Sequence, residues 1–325
     1  MDASKLKRYR FLTVLLLCAL CLPFSGCSRV SNEIIVYTSV DEIYSHPIFE
    51  AFEKETGIHV RAVYDIESQK TVGLANRLRA EKKQPQADLF WSGESSIILS
   101  LSAEGVVQEW TAFAGRARVL LVNTQLMQDR SKWPKSIFDL ISDYPSGTVA
   151  IANPLFGTSA THAAALYAAF GSKEGKRFYE AVQSKFIVLE GNGAVRDQVA
   201  AGRIAMGLTD TDDAFSAVKD NKPVEMVFLD QGGSGIGTLV MPNTVAIVTG
   251  APNPGNAALL LEYITSRKTQ KALYESGWFD IVDFPEDITS PRFGFVTLRR
   301  MDVSLQQIND NSAMAAVDME ELFLK

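Results

Sequence analysis

The chain has 325 residues, 46% of them hydrophobic and 22% charged, with a formal net charge of −6 and a mean hydropathy near zero. This balance excludes a disordered chain, a collagenous repeat and a multi-span membrane protein, and the length suits about two domains with a sizeable core. An acidic excess argues against a nucleic-acid backbone as partner, and three histidines leave little for a His-rich metal site or His-based catalysis.

At the N-terminus, Lys5, Lys7, Arg8 and Arg10 form a basic region followed by an apolar run over 11–22. That run is too short to span a bilayer and has the length of a signal-peptide core. It ends in Phe24-Ser25-Gly26-Cys27, which resembles a bacterial lipobox and marks Cys27 for lipidation, with Phe24 where Leu is usual. The alternative is an ordinary secretory signal with an incidental cysteine. All three cysteines (Cys18, Cys21 and Cys27) lie in this region, so the rest of the chain holds no disulfide and no Cys zinc site. Removing residues 1–26 leaves a net charge of −9. The expectation is an exported, acidic protein at the periplasmic or extracytoplasmic face, tethered to the membrane through 27–32.

Apolar, β-branched runs predict strands over 33–37, 58–64 and 87–91, separated by helical spacing over 41–56, which Gly57 stops, and 67–82. A βαβαβ order of this kind argues for a parallel sheet flanked by helices. After an apolar stretch at 119–122 and a short helix at 137–141, a second series begins with a strand at 148–152. It continues with helices near 159–170, 173–184 and 194–202, and strands near 186–189, 204–209 and 224–229. An extended run at 238–248, helices over 257–265 and 269–276, an irregular tail over 280–300 and a last helix over 303–324 complete the chain. Two α/β lobes account for this order, 33–115 with 245–325 as lobe 1 and 116–244 as lobe 2.

There is no HExxH, GxSxG or Walker A motif, and no convincing nucleophile–base pair. The run Gly232-Gly233-Ser234-Gly235-Ile236-Gly237 lacks dinucleotide spacing and precedes an extended stretch, so it reads as a turn or hinge approach. Three segments carry chemistry. Thr158, Ser159, Ala160 and Thr161 open an Ala-rich helix just after a strand, where free N–H groups and the positive dipole end bind phosphate, carboxylate or carbonate; an ordinary N-cap is the plainer reading. Asp210, Asp212 and Asp213 crowd one strand end and repel one another unless a cation, an ammonium or hydroxyl donors sit among them, or unless they cap the next helix. Ser39 and Asp41, with Trp91, Ser92 and Glu94, follow two further strands, and ligands of open α/β sheets lie beyond such carboxyl ends. Trp91 is either an aromatic wall of the cleft or part of the core.

Val36-Tyr37-Thr38-Ser39, Phe49-Glu50-Ala51-Phe52-Glu53-Lys54-Glu55-Thr56-Gly57-Ile58 and Gln86-Ala87-Asp88-Leu89-Phe90-Trp91 resemble the ferric-iron-type solute-binding proteins of ABC importers. So do Gly115-Arg116-Ala117-Arg118-Val119, Asn123, Asn153-Pro154, Gly191-Asn192-Gly193, Pro242-Asn243-Thr244 and Met301-Asp302-Val303, which extend the likeness over the mature chain. The resemblance implies a two-lobed, type II periplasmic-binding-protein fold that closes on one solute in the interlobe cleft. It also implies delivery to a membrane permease driven by a cytoplasmic ATPase, by a monomer that is not an enzyme and has no resident cofactor. Thr158, Ser159 and Ala160 fall where ferric members hold a synergistic anion, and Asn192 on another residue of that site. The metal ligands do not carry over: Asp41, Gly93 (with Glu94 one residue late) and Asp212-Asp213 stand where a His, a Glu and paired tyrosines are usual. An all-carboxylate set of Asp41, Glu94, Asp212 and Asp213 suits Fe(III) less well but still suits a hard cation. The chain also looks shortened around Glu109-Trp110-Thr111.

Relatives on this scaffold bind thiamine, phosphonates or sugar phosphates. Such ligands fit better, with the helix start at 158–161 and Arg196 taking a phosphoryl group and Asp41, Asp212 and Asp213 taking an ammonium or hydroxyls. The competing classes are Fe(III) with a synergistic anion and an enzyme on the same scaffold.

Overall fold

The computed structural model describes residues 32–64, 72–283 and 298–324. The signal segment 1–26, Cys27 and the tether through residue 31, the expected helix start at 67–71 and the tail at 284–297 lie outside the described residues. Strands β1 (Glu33–Thr38), β2 (His59–Tyr64) and β3 (Leu89–Ser92) alternate with helices α1 (Glu42–Thr56), α2 (Val72–Ala80) and α3 (Ser95–Ala103). The long β4 (Val107–Asn123) leads through a short α4 (Asp139–Ser142) to β5 (Val149–Ala152), α5 (Gly157–Phe170), α6 (Ser172–Lys185) and β6 (Ile187–Leu189). Then come α7 (Asn192–Ala200), β7 (Met206–Asp210), α8 (Thr211–Lys219), β8 (Val224–Val227) and β9 (Val240–Val248). Helices α9 (Pro254–Thr265), α10 (Arg267–Ser276) and α11 (Leu305–Phe323) close the described chain.

The nine strands form one sheet in the order β2-β1-β3-β9-β4-β7-β5-β6, with β8 also on β4. It divides into two parallel halves, β2-β1-β3 and β7-β5-β6. The antiparallel pair β4–β9 joins them and runs through both. Each half buries both faces, which is why its strands read as near-continuous apolar runs. Ile34, Val36, Leu89 and Trp91 pack in one layer and Tyr37 and Phe90 in the opposite one. In the second half, Leu120 and Val122 face away from Val119 and Leu121, the period-two alternation of a strand covered on both sides.

Sequence periodicity alone misses α3 and the first twelve residues of β4. Helix α3 is apolar nearly all round (Ile97, Ile98, Leu99 and Leu101), so it shows no amphipathic stripe to count. Gln108, Glu109 and Trp110 interrupt the start of β4, and the pairing with β9 slips there as Glu109 takes a positive φ of 46°. A second correction concerns the C-terminus. Residues 245–283 do pack with the first half, through Leu260, Ile264, Leu273 and Phe279. By contrast, the Thr238 N–H donates to Arg299 O at 2.9 Å and the Met301 N–H to Thr238 O at 2.9 Å. These bonds carry the chain across to the second half, where Ile308, Ala315 and Met319 of α11 join the core of α5 and α6. The glycine run before Thr238 is a close-packed turn, since a Cβ on Gly237 would lie 2.5 Å from Arg300 O.

Candidate functional site

Between the two half-sheets lies a cavity of about 710 Å³, walled on one side by Ser39, Asp41, Tyr44, Glu94 and Trp278 and on the other by Gly157, Arg196, Asp212, Asp213 and Lys219. Arg116, on the strand that runs through both halves, reaches it as well. Six of the residues expected from the sequence therefore share one opening: Ser39, Asp41, Glu94, Arg196, Asp212 and Asp213. Strand geometry explains this, because loops at the carboxyl ends of parallel strands gather on one edge of a sheet.

The aspartate triplet is matched by three arginines. Arg118 Nη1 donates to Asp210 Oδ1 at 2.8 Å, Arg116 Nη1 to Asp212 Oδ2 at 3.1 Å and Arg196 Nη1 to Asp213 Oδ1 at 3.3 Å. Arg116 also lies 3.5 Å from Glu94 Oε1, so one guanidinium spans both walls. Burial opposes the Arg116 charge, but Asp212, Glu94 and Asp210 outweigh it and hold the guanidinium above its ordinary range. Burial, with Asp212 and Asp210 adding to it, pushes the Asp213 carboxyl up to about 6 against the pull of Arg196 and Arg116. One oxygen of each aspartate lies within 4.8 Å of the others, and Asp212 Oδ1 is buried with no hydrogen-bond partner among the described residues.

Asp210 is not a free ligand. Its carboxylate accepts from Arg118, from the Thr158 hydroxyl at 2.6 Å and from the Asn192 amide at 2.9 Å, while Asn192 also donates to Thr158 at 2.8 Å. Thr158 lies in the first turn of α5, Asn192 starts α7 and Asp210 holds the N-cap position of α8 without a side-chain cap bond. Three positive helix ends thus meet on one buried carboxylate, and the Thr158 and Asn192 side chains are committed to that network, not to the cavity wall.

Other expected site residues are also displaced from the cavity. Ser159 is buried, with an Oγ that has no partner among the described residues. Ala160 and Thr161 face a separate groove of about 320 Å³ between α5 and α11. Trp91 is fully buried in the first-half core, edge-on to Phe49 and Trp278, so Trp278 and Tyr44, ring centroids 6.5 Å apart, supply the aromatic wall instead. Ser92, also buried, accepts from the Glu94 N–H at 3.0 Å and shapes the loop that carries Glu94. What remains of the expected anion end is Gly157, at the start of an α5 whose N-cap is Phe156, a side chain that cannot accept the first-turn N–H groups.

Arg116, Lys219, Tyr44 and Trp278 were not singled out as site residues from the sequence. A signal for the first was present: Arg116 and Arg118 alternate in an otherwise apolar strand, so both leave it on one face. Trp278 sits beyond α10 and nothing local distinguishes it from a core aromatic.

The model of the family described as bacterial extracellular solute-binding protein matches residues 34–279. Among solved structures, a Trichodesmium protein (IdiA, FutA) in complex with iron and citrate ligands superposes with a TM-score of 0.80 at 21% identity, covering 90% of this chain and 100% of that one. A ferric binding protein from Bordetella gives 0.77 at 22% identity, with 89% and 98% covered. The periplasmic binding protein AfuA from Actinobacillus pleuropneumoniae, with fructose-6-phosphate bound, gives 0.69 at 17%, with 90% and 98% covered. At these identities the likeness establishes the two-lobed periplasmic-binding-protein fold, in which the cavity between the half-sheets is the interlobe cleft.

Proposed function

The chain belongs to the family of bacterial extracellular solute-binding proteins, and from that membership we propose that it captures a small organic solute bearing a phosphoryl or phosphonate group and hands it to an ABC permease driven by a cytoplasmic ATPase. The observation that carries this reading is the pairing of both cleft aspartates, Asp212 and Asp213, with an arginine, inside a cleft of about 710 Å³. That volume suits an organic molecule. Carboxylates already neutralised by arginines offer little net charge to a trivalent ion.

The solute's anionic group is assigned to Arg196, Lys219 and the uncapped α5 start at Gly157, where cations and a helix dipole act together. Its hydroxyls or ammonium are assigned to the carboxylates of Asp41, Glu94 and Asp212, and an apolar or ring face to Tyr44 and Trp278. The protein works outside the cytoplasm, as a monomer anchored by a lipid on Cys27, and binds its solute without transforming it. Closure of the lobes follows the differential affinity of the solute for the closed state.

A second reading is favoured by the proximity of Asp210, Asp212 and Asp213: a hard cation such as Fe(III), transported with a co-bound anion, on Asp41, Glu94, Asp212 and Asp213. Calorimetry with fructose 6-phosphate, 2-aminoethylphosphonate and ferric citrate separates the two. Heat with either organic probe and none with iron is the expected result; tight iron binding with silent organic probes would overturn the proposal. Native mass spectrometry of protein purified without refolding then identifies any retained solute. Asp212→Ala combined with Asp213→Ala should abolish binding with little change in the melting temperature of the empty form, because partly exposed ion pairs contribute about 0–1 kcal/mol each. A large fall in melting temperature would mean that the two carboxylates serve the start of α8 and not the solute.

A further inference from the structure

We infer that Arg116 is the resident cation of the cleft and that its charge determines specificity, denying the acidic side chains to metal ions while leaving them open to hydroxyl donors. This rests on the reading of the cleft as the solute site. Glu94 lies on the first half and Asp212 on the second, yet the guanidinium stands 3.5 Å from one and 3.1 Å from the other. Such a placement is open to β4 because, among the described strands, only it and β9 run through both halves, and the pairing of the two slips between Phe113 and Arg116. Ala114 and Gly115 take positive φ values of 43° and 150° there. Beyond this irregularity Arg116 and Arg118 project from the same face, each towards an aspartate at the start of α8.

Carboxylates this close repel one another unless positive charge stands among them. A guanidinium supplies that charge permanently, since it keeps its proton and is weakly hydrated. A metal ion seeking Glu94 and Asp212 must expel Arg116 from both or accept a like charge beside it in an enclosed cleft. Hydroxyl donors face no such conflict. A carboxylate has about four acceptor sites, and Oδ1 of Asp212 has no partner among the described residues, so acceptor capacity remains on this carboxylate with Arg116 in place.

The test is titration of the full exported chain with terbium(III), a hard trivalent probe read by luminescence sensitised from tryptophan. Wild type and Arg116→Lys, which keeps the charge, should show no saturable signal. Arg116→Met should gain saturable binding, tighter than wild type by roughly a hundredfold or more, and adding Asp212→Asn should remove it. Should Arg116→Met fail to fold, as judged by circular dichroism, Arg116→Gln serves in its place. Terbium binding by wild type as tight as by Arg116→Met would overturn the inference. So would gained binding in Arg116→Lys, or silence from a folded uncharged variant. No organic solute enters the measurement, so it reads out even if the phosphorylated-solute proposal fails.

Discussion

Arg118 and Arg116 stand two residues apart and pair with aspartates two residues apart, but their surroundings give them different energetic weight. Arg118 and Asp210 have side-chain exposures of 2% and 3%, whereas Arg116 and Asp212 keep 26% and 30%. Truncating Arg118 leaves a buried carboxylate without its counter-charge, so Arg118→Met should cost about 3–5 kcal/mol in urea unfolding. Arg116→Met should cost about 1 kcal/mol or less. Nearby, burial and then the Arg118 charge press the His162 imidazole down to about 3, while an unfolded chain protonates it near 6.5. Protons therefore favour the unfolded state: this group's contribution to stability is intact above about pH 6.5 and is lost as pH falls towards 3. At pH 5 the loss amounts to about 2 kcal/mol. His162→Gln should flatten the difference between denaturant midpoints at pH 7.5 and pH 5 by about that much.

At the scale of elements, the crossover strand depends on a single glycine. A Cβ on Gly115 would lie 2.3 Å from Met241 O, and its φ of 150° is itself unfavourable for an L side chain. Gly115→Ala should accordingly destabilise the fold by about 2 kcal/mol or more, measured by thermal or urea unfolding. Helix α11 begins with a complete capping box, in which the Ser304 hydroxyl accepts from the Gln307 N–H at 3.2 Å and the Gln307 side chain accepts from the Ser304 N–H at 2.8 Å. Ser304→Ala should cost about 1 kcal/mol. Helix α5 is the opposite case: Phe156 stands at its N-cap, largely exposed and without a side-chain cap bond. An uncapped start beside the cleft leaves N–H groups for a ligand, which is the role the proposed function gives it.

For the molecule as a whole, the C-terminal segment ties into the second lobe. Ile308, Ala315 and Met319 lie in the same core as Tyr167, Phe178 and Tyr179. On the polar side, Asp318 accepts from the Tyr167 hydroxyl at 2.8 Å and from Lys176 at 2.9 Å. Ending the chain before Val303 should therefore expose apolar second-lobe surface and yield protein that aggregates or binds a hydrophobic dye, even though it retains every cleft residue named above. The hydrogen-bonded network of Arg118, Asp210, Thr158 and Asn192 joins the starts of three helices on the same lobe. That lobe therefore presents one preassembled wall to the cleft.

Much of this was legible in the residues themselves. The alternation of strand and helix signals, the carboxyl ends at Ser39, Glu94 and Asp212, and the motifs from Val36 to Asn243 determined two α/β lobes with a cleft, because hydrophobic periodicity and strand-end loops are local properties. Which side chains look into that cleft was decided only in three dimensions. Thr158, Asn192 and Asp210 read as ligand contacts until packing turned them onto one another. For Trp91 the residues left cleft wall and core equally open; it lies in the core, while Trp278, nearly two hundred residues later, takes the place at the wall. Assigning Arg118 to Asp210 and Arg116 to Asp212 requires knowing that β4 pairs with β7 and that Arg118 stands opposite Asp210. Charge compensation between segments roughly a hundred residues apart leaves no mark on either one, so the sequence determined the scaffold and the tertiary structure decided the electrostatics of the site.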